Sequence, residues 1–170
     1  ITRDPALMTE PMHGPWYYQQ VALGFNYRMT DLQAALGVSQ MARLTDYVKR
    51  RHQIAQRYSQ LLAELPLTLP WQHPDSYSAY HLYVVRLQLD KISATHRQVF
   101  EALRAQDIMV NLHYIPVHIQ PYYQKMGFKQ GDFPQAEKYY REAISIPMHV
   151  SLTDGDLEFV ANSLREAVKK

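Results

Sequence analysis

With 170 residues, 46% of them apolar and 20% charged, the chain has the length and composition of one globular domain with its own core. Its formal net charge of +2 is too small to indicate nucleic acid or an anionic membrane as a partner, and the absence of cysteine excludes disulfides, thiolate metal sites and cysteine nucleophiles. Because no apolar run approaches the roughly 20 residues that span a bilayer, and no signal-peptide pattern is present, we expect a cytoplasmic protein.

The first part of the chain predicts a loop followed by a helix. Residues 1–29 contain several proline and glycine breakers without a sustained period, so we expect an extended or loop segment. Thr30 and Gln33 have the spacing of a capping box, which predicts that a helix begins at this point. Apolar residues then recur at intervals of three, four and seven until Pro66 ends the pattern. This predicts a long amphipathic helix over residues 30–66, either bent or divided in two.

The remaining residues, 67–170, predict a compact α+β unit in which strands and helices alternate. The segment 80–89 is β-branched, aromatic and partly alternating, as expected for a strand. Shorter strands are predicted at MVNLHYIPV (109–117) and AISIPM (143–148). Three further helices are predicted from their N-caps, which are Thr95, Asp132 and Thr153.

Two short segments concentrate polar groups that suit a ligand. GFNYR precedes the first predicted helix, so its backbone N–H groups, the Asn26 amide and the Arg28 guanidinium could hold an anion such as phosphate. An ordinary turn with a surface ion pair explains the same residues equally well. NLHYIP places an amide, an imidazole and a phenol at a strand end, where they could bind a hydroxyl-rich ligand. A strand with half-buried polar groups is the alternative for this second segment.

Other catalytic arrangements find little support. His113 and His118 lie five residues apart without an HExxH motif or a carboxylate cluster, which argues against a metal site. His81 lies in the predicted strand, where a hydrogen-bonded structural histidine is the simpler interpretation. The sequence has no nucleophile elbow, P-loop or dinucleotide-binding motif. A small metal-dependent enzyme that uses the histidines is therefore the weakest of the functional hypotheses.

Three longer segments resemble a known family. GFNYRMTDLQAALG, from Gly24 to Gly37, matches without a gap the pattern G-x-N-Y-R-M-[ST]-[DE]-[LI]-Q-A-A-L-G. Together with NLHYIPVHIQPYY and GDFPQAEKYYREAISIPMHVSLT, it resembles the DegT/DnrJ/EryC1/StrS sugar aminotransferases over nearly the whole chain. The resemblance implies the C-terminal part of a fold type I pyridoxal phosphate-dependent transferase. Residues 1–29 would be a remnant of the large domain, residues 30–66 an interdomain helix, and residues 67–170 a small α+β domain with a mainly antiparallel sheet.

The same resemblance implies which parts of the active site this sequence contains. Family members are about twice as long, and their Schiff-base lysine has the surroundings H-x-x-K-x-x-T-x-G-E-G-G, which no lysine here has. No catalytic residue is therefore expected, and the chain alone should be inactive. Asn26 matches the family asparagine that contacts cofactor or substrate in the neighbouring subunit, and Arg28 is a second candidate for the substrate. The further residues that match substrate contacts are Asn111, Leu112, His113 and Tyr114, with His118 and Tyr122 as outer candidates.

Within the family, the chain is most similar to the enzymes of pseudaminic acid biosynthesis, which transfer an amino group from glutamate to C4 of a UDP-linked 4-keto-6-deoxy-N-acetylhexosamine. The resemblance therefore implies pyridoxal 5'-phosphate as cofactor, a UDP-sugar and glutamate as substrates, and a homodimer with shared active sites. It implies no nucleic acid or membrane partner. The competing hypothesis is a non-catalytic dimerisation or binding module whose long amphipathic helix is the partner surface.

Overall fold

The computed structural model describes residues 1–11, 14–25 and 27–169, and it divides into two compact units. The first unit is Ile1–Ala42 and the second is Arg43–Lys170. All buried apolar side chains among the described residues belong to the second unit. The hydrophobic core therefore lies in the second unit.

The first unit consists of a folded-back loop and one helix. An isolated antiparallel bridge joins Thr2 to Gln19, and the buried Gln19 side chain accepts a hydrogen bond from the backbone of Thr9 at 2.8 Å. A 3-10 turn at Pro5–Leu7 lies within this loop. The helix α1 (Asp31–Met41) begins with the predicted capping box, in which Thr30 and Gln33 each bond the other's backbone N–H. None of its residues is buried.

The second unit carries the other helices and the sheet. Of the two forms predicted for the helical stretch 30–66, bent or divided in two, the structure shows the divided one, because α1 ends at Met41 and α2 begins at Leu44. The helices of this unit are α2 (Leu44–Leu62), α3 (His96–Arg104), α4 (Pro121–Gln124), α5 (Pro134–Glu142) and α6 (Asp154–Lys169). The strands are β1 (Leu67–Thr68), β2 (Tyr83–Leu87) and β3 (Ala143–Ile146), and a 3-10 turn lies at Val117–Ile119.

The three strands form one antiparallel sheet in the order β1-β2-β3. In the centre, β2 pairs Val85 with Ile144 of β3 and Leu87 with Leu67 of β1. Alternate side chains of β2 are buried, whereas all four residues of β3 are buried. These side chains share one core with α2, α3 and α6. The predicted α+β fold, a small antiparallel sheet packed with helices, is confirmed.

Two of the three N-caps predicted for this unit are confirmed, and one is wrong. Thr95 and Gln98 form a capping box at the start of α3, and Thr153 does the same at the start of α6 with Asp156 in place of the glutamine. The N-cap of α5 is Phe133, which makes no capping hydrogen bond with its side chain. The predicted cap, Asp132, instead accepts a hydrogen bond from the backbone N–H of Lys129 at 2.8 Å. Its carboxylate therefore stabilises the preceding turn.

The strand predicted over residues 80–89 is shorter in the structure, where β2 begins at Tyr83. Tyr80 has a φ of +45° and cannot continue a strand. The Arg51 guanidinium donates to the backbone carbonyls of Tyr80 at 2.8 Å and Met148 at 3.0 Å. Because this arginine binds the carbonyls that flank β2 and β3, it replaces ladder hydrogen bonds at that end of the sheet.

The strand predicted over residues 109–117 is wrong. Only Asn111 pairs with the sheet, through an isolated bridge to Ser145. The Asn111 side chain accepts the backbone N–H of Leu112 at 2.8 Å, which offers the backbone a local alternative to the ladder. Pro116, which has no N–H, precedes the 3-10 turn. A local side-chain bond and a proline thus end the pairing after one residue.

Replacement of Leu164 by alanine should destabilise the second unit by about 2–5 kcal/mol, because the side chain is fully buried in α6 and leaves a cavity. Leu44→Ala is the matched control, since Leu44 is 46% exposed on α2 of the same unit and should cost about 1 kcal/mol or less. Urea unfolding followed by circular dichroism measures both free energies of unfolding. Similar losses for the two variants would contradict the assignment of this core.

Candidate functional site

The segment Asn111–Tyr114, which contains four of the predicted substrate contacts, is fixed to β3 by Ser145. Asn111 and Ser145 exchange two backbone hydrogen bonds with N···O distances of 3.1 and 2.8 Å. The Ser145 hydroxyl lies 2.8 Å from Nδ1 of His113, and Ser145 is only 5% exposed. One buried residue therefore holds both the backbone and the imidazole of this segment.

The same segment presents several polar atoms that have no partner among the described residues. Since Oδ1 of Asn111 is bonded to the N–H of Leu112, the amide NH₂ of Asn111 is the group left over. Nε2 of His113 has no partner in the described part of the chain, and neither has the hydroxyl of Tyr114, which is 74% exposed. The His113 and Tyr114 rings meet edge to face at 4.7 Å. These groups suit a ligand that is rich in hydroxyl or carbonyl oxygens.

Leu112 differs from its polar neighbours. Its side chain is half-buried and borders a groove with Phe100 of α3 and Tyr140 of α5. Its backbone N–H is already bonded to Asn111. The backbone carbonyl is the remaining polar group that Leu112 can offer to a ligand.

Four residues after this segment, a buried hydrogen bond joins His118 to Glu137. Nε2 of His118 lies 2.8 Å from Oε1 of Glu137, and both side chains are 8% exposed. The backbone N–H of Gly131 donates to the same oxygen at 2.6 Å. These hydrogen bonds, first that of His118 and then that of Gly131, hold the pKa of Glu137 below its ordinary value. His118 therefore has a structural partner, whereas Tyr122, the second outer candidate, is 65% exposed.

An apolar cavity of about 350 Å³ adjoins His118. Its walls include Val117, Tyr123, Phe128 and Phe133, and the Phe133 ring lies 4.9 Å from that of His118. Apolar walls of this kind keep water away from the hydrogen bond between His118 and Glu137, which strengthens that bond. Most of the described residues that line it are apolar, so the cavity offers few polar groups that could orient a ligand.

The first unit contains the other predicted segment. A cavity of about 380 Å³ is lined there by Gly24, Phe25, Tyr27 and Arg28, among others. Arg28 is exposed and makes no ion pair or hydrogen bond within the described residues, so the alternative of a surface ion pair is not observed. The rings of Phe25 and Tyr27 are stacked at 5.1 Å. Asn26 lies outside the described residues.

Ser145 is the site residue that sequence reasoning missed. It lies in a correctly predicted strand whose other members, Ala143, Ile144 and Ile146, are apolar. A single hydroxyl in a fully buried strand needs a partner, which is the one clue that the sequence offered. The partner is 32 positions away along the chain and could not be identified from spacing.

Among the described residues, no group of three or more histidine, aspartate or glutamate side chains could hold a metal ion. His113 and His118 instead bind Ser145 and Glu137. Within the same part of the chain, no helix is long and apolar enough to cross a membrane.

Comparison with known proteins gives consistent matches. The model of the DegT/DnrJ/EryC1/StrS aminotransferase family matches residues 8–165. The spore coat polysaccharide biosynthesis protein SpsC of Bacillus subtilis is 42% identical over 160 residues, which are 92% of this chain and 41% of SpsC. The chain thus spans about two fifths of the length of this relative.

Solved structures share the fold. Spr1654 of Streptococcus pneumoniae in its PLP form superposes with a TM-score of 0.79 at 25% identity, covering 90% of this chain and 39% of that protein. Helicobacter pylori PseC, an aminotransferase involved in the biosynthesis of pseudaminic acid, superposes with a TM-score of 0.78 at 24% identity, covering 93% of this chain and 42% of PseC. At that identity the PseC match shows the fold alone.

Glu137→Gln should reduce the loss of stability in acid. Because the folded pKa of Glu137 lies below its ordinary value of 4.5, ionised Glu137 stabilises the fold above that pH, and the contribution is lost as the pH falls through the lowered pKa. Glutamine does not titrate, so the urea midpoint should fall less steeply between about pH 5 and pH 3 than in the parent chain.

The matched control for this pH series is Glu64→Gln, which removes an exposed carboxyl. This control should keep the steep acid dependence of the parent chain. The same steep dependence in Glu137→Gln would show that the Glu137 carboxyl does not contribute to acid sensitivity.

Proposed function

The chain belongs to the DegT/DnrJ/EryC1/StrS aminotransferase family, and from that premise we propose that it forms the substrate-facing part of a pyridoxal phosphate-dependent nucleotide-sugar aminotransferase. The proposed reaction transfers an amino group from glutamate to C4 of a UDP-linked 4-keto-6-deoxy-N-acetylhexosamine, in a cytoplasmic pathway of the pseudaminic acid type. The motifs GFNYRMTDLQAALG and NLHYIPVHIQPYY support this choice of sugar. The name of SpsC, a spore coat polysaccharide biosynthesis protein, supports a product destined for a polysaccharide.

The observation that carries the proposal is the set of unpartnered polar atoms on Asn111–Tyr114. The Asn111 NH₂ donates hydrogen bonds, the Tyr114 hydroxyl donates or accepts, and one nitrogen of His113 is available. A buried serine fixes the His113 imidazole through Nδ1, while Nε2 has no partner among the described residues. This arrangement is easier to explain for a ligand-binding segment than for a purely structural one. A sugar with several hydroxyl and carbonyl oxygens is a chemical match for these groups.

The first unit supplies groups that fit the phosphate of the cofactor. Arg28 has no acidic partner among the described residues, and no carboxylate lines the cavity beside it. A free guanidinium next to the backbone of a helix entrance suits a phosphate or another anion. When bound, pyridoxal phosphate supplies the electron sink and the carrier for the amino group. The role proposed for Asn26 and Arg28 is to bind the anionic oxygens of the cofactor or of the nucleotide-sugar.

Tyr114→Phe in the full-length enzyme should raise the KM for the keto-sugar about fivefold, because one hydrogen bond to the substrate is lost. The value of kcat should change little, since the contact is present before and during the reaction. Tyr77→Phe is the matched control, because Tyr77 is similarly exposed, at 71% against 74% for Tyr114. Steady-state rates with the UDP-linked keto-sugar and glutamate measure both parameters.

The reaction of the unmodified full-length enzyme with the UDP-linked keto-sugar and glutamate is a test of its own. Formation of the 4-amino sugar with equimolar 2-oxoglutarate would support the proposed chemistry. Absence of amino transfer with this sugar, or an unchanged KM in Tyr114→Phe, would contradict the proposed substrate or the proposed contact, respectively.

A homodimer is the proposed assembly, and the surface of the first unit supports it. No apolar side chain of this unit is buried among the described residues, and Leu23, Phe25 and Tyr27 are more than four fifths exposed. On α1, Leu32 and Leu36 are spaced by one turn and are 85% and 61% exposed. So much exposed apolar area on one short segment is typical of an interaction surface. The same exposed face is the observation that favours the alternative, a non-catalytic dimerisation module.

The chain should therefore self-associate in solution, and Leu36→Glu should weaken that association at least tenfold because a charge would be buried in the interface (about 1.4 kcal/mol or more). Ser39→Glu is the control, since it adds the same charge to α1 without removing an apolar side chain. Sedimentation equilibrium or light scattering measures the association constant. If the unmodified 170-residue chain is a monodisperse monomer, the proposed interaction surface is contradicted.

A further inference from the structure

The Ser145 hydroxyl has a single partner in the described part of the chain. Its Oγ lies 2.8 Å from Nδ1 of His113 and makes no other hydrogen bond within the described residues. Ser145 is 5% exposed in the fully buried strand β3, so water has little access to the hydroxyl. The hydrogen of this hydroxyl must therefore be satisfied within the protein.

The chemistry of the two groups determines which one donates. A serine hydroxyl has one hydrogen to donate, and a neutral imidazole has one nitrogen that donates and one that accepts. If Nδ1–H of His113 donated to Oγ, the hydrogen of Ser145 would be left without an acceptor. If Oγ–H donates to Nδ1, both groups are satisfied. The second arrangement avoids a buried donor without a partner, which is costly in a protein interior.

We propose that Ser145 is a positioning residue that makes Nδ1 of His113 the acceptor, so that Nε2–H is a hydrogen-bond donor for an oxygen atom of the nucleotide-sugar. The inference rests on the proposed function, in which His113 contacts the sugar. Because Nε2 has no partner among the described residues, it is the ring atom available to a ligand. A hydroxyl, carbonyl or phosphate oxygen fits this donor, whereas a ligand group that can only donate does not.

The same anchor fixes the direction of the ring. Ser145 also exchanges two backbone hydrogen bonds with Asn111, two residues before the imidazole. The backbone bridge sets the start of the segment, and the hydroxyl sets the rotation of the ring at its third residue. A segment held at these two points, one on its backbone and one on its imidazole, loses less conformational entropy when a substrate binds. Ser145 should thus affect substrate affinity without touching the substrate.

Imidazole ¹⁵N spectra of the 170-residue chain test the positioning directly, at about pH 9, well above the usual titration range of histidine. His113→Gln identifies the His113 resonances among those of the eight histidines. We expect Nδ1 to resonate at the acceptor position and Nε2 at the N–H position. In Ser145→Ala the Nδ1 resonance should move towards the N–H position, as the second tautomer becomes populated, whereas Ser145→Thr should retain the parent pattern.

Ser163→Ala is the matched control. Ser163 is 2% exposed, and its hydroxyl makes one side-chain hydrogen bond, to Gln106 at 2.6 Å, so its loss should cost similar stability. It should leave the His113 resonances unchanged. An N–H at Nδ1 in the parent chain, or identical spectra in the parent and Ser145→Ala, would overturn the proposal.

Kinetics of the full-length holoenzyme separate this proposal from the proposed function. Ser145→Ala should raise the KM for the keto-sugar about fivefold and leave kcat and the KM for glutamate within about twofold. Ser163→Ala should leave all three parameters unchanged. In a His113→Gln background, Ser145→Ala should add no further effect. The KM for the keto-sugar could be unchanged in both His113→Gln and Ser145→Ala while the spectra are as expected. That result would overturn the assignment of His113 to the sugar site, and with it the role of Ser145 in substrate binding.

Discussion

The complete burial of β3 constrains the rest of the second unit. All four residues of this strand are buried, yet only β2 pairs with it along its length. The backbone groups on its other edge must be satisfied by something else, because a buried N–H or C=O without a partner is costly. Asn111 satisfies the backbone of Ser145. Three carbonyls at or beyond the ends of the strand are bound by side chains from α3 and α2, namely Ala143 by His96, Pro147 by Tyr58 and Met148 by Arg51.

This constraint links the core to the candidate site. Burial raises the pKa of Tyr58, which keeps its hydroxyl protonated as the donor to Pro147 at 3.1 Å. Side chains of α2 and α3 donate hydrogen bonds to backbone carbonyls at this edge, so β3 and the two residues after it are bonded to both helices as well as to β2. The segment that begins at Asn111 is attached to this edge, whose backbone carbonyls are bonded by side chains as well. A binding segment on such an edge can present side chains outward with little loss of order, which favours precise recognition.

Local patterns were predicted well from the sequence, whereas contacts between distant residues were not. The capping boxes at Thr30 and Thr95 depend on residues three positions apart, so the sequence contained all the necessary information. The strand predicted around Asn111 was wrong because its side chain bonds the next backbone N–H, a choice that periodicity does not reveal. Ser145 was missed because its partner lies on a different segment. The family resemblance predicts that Asn111–Tyr114 contacts the substrate, but spacing could not show which residue holds this segment.

The two histidines of HYIPVH show how a partner determines the use of an imidazole. Glu137 has a lowered pKa and is ionised at neutral pH, so it can only accept hydrogen bonds, and Nε2 of His118 must donate to it. Nε2 of His118 is therefore used in a buried hydrogen bond and cannot donate to a ligand. Ser145 can donate or accept; in the proposed arrangement its burial makes it the donor, and Nε2 of His113 has no partner among the described residues. Two histidines five positions apart thus have different hydrogen-bonding partners, a carboxylate and a hydroxyl, and these partners account for the structural role of His118 and the recognition role proposed for His113.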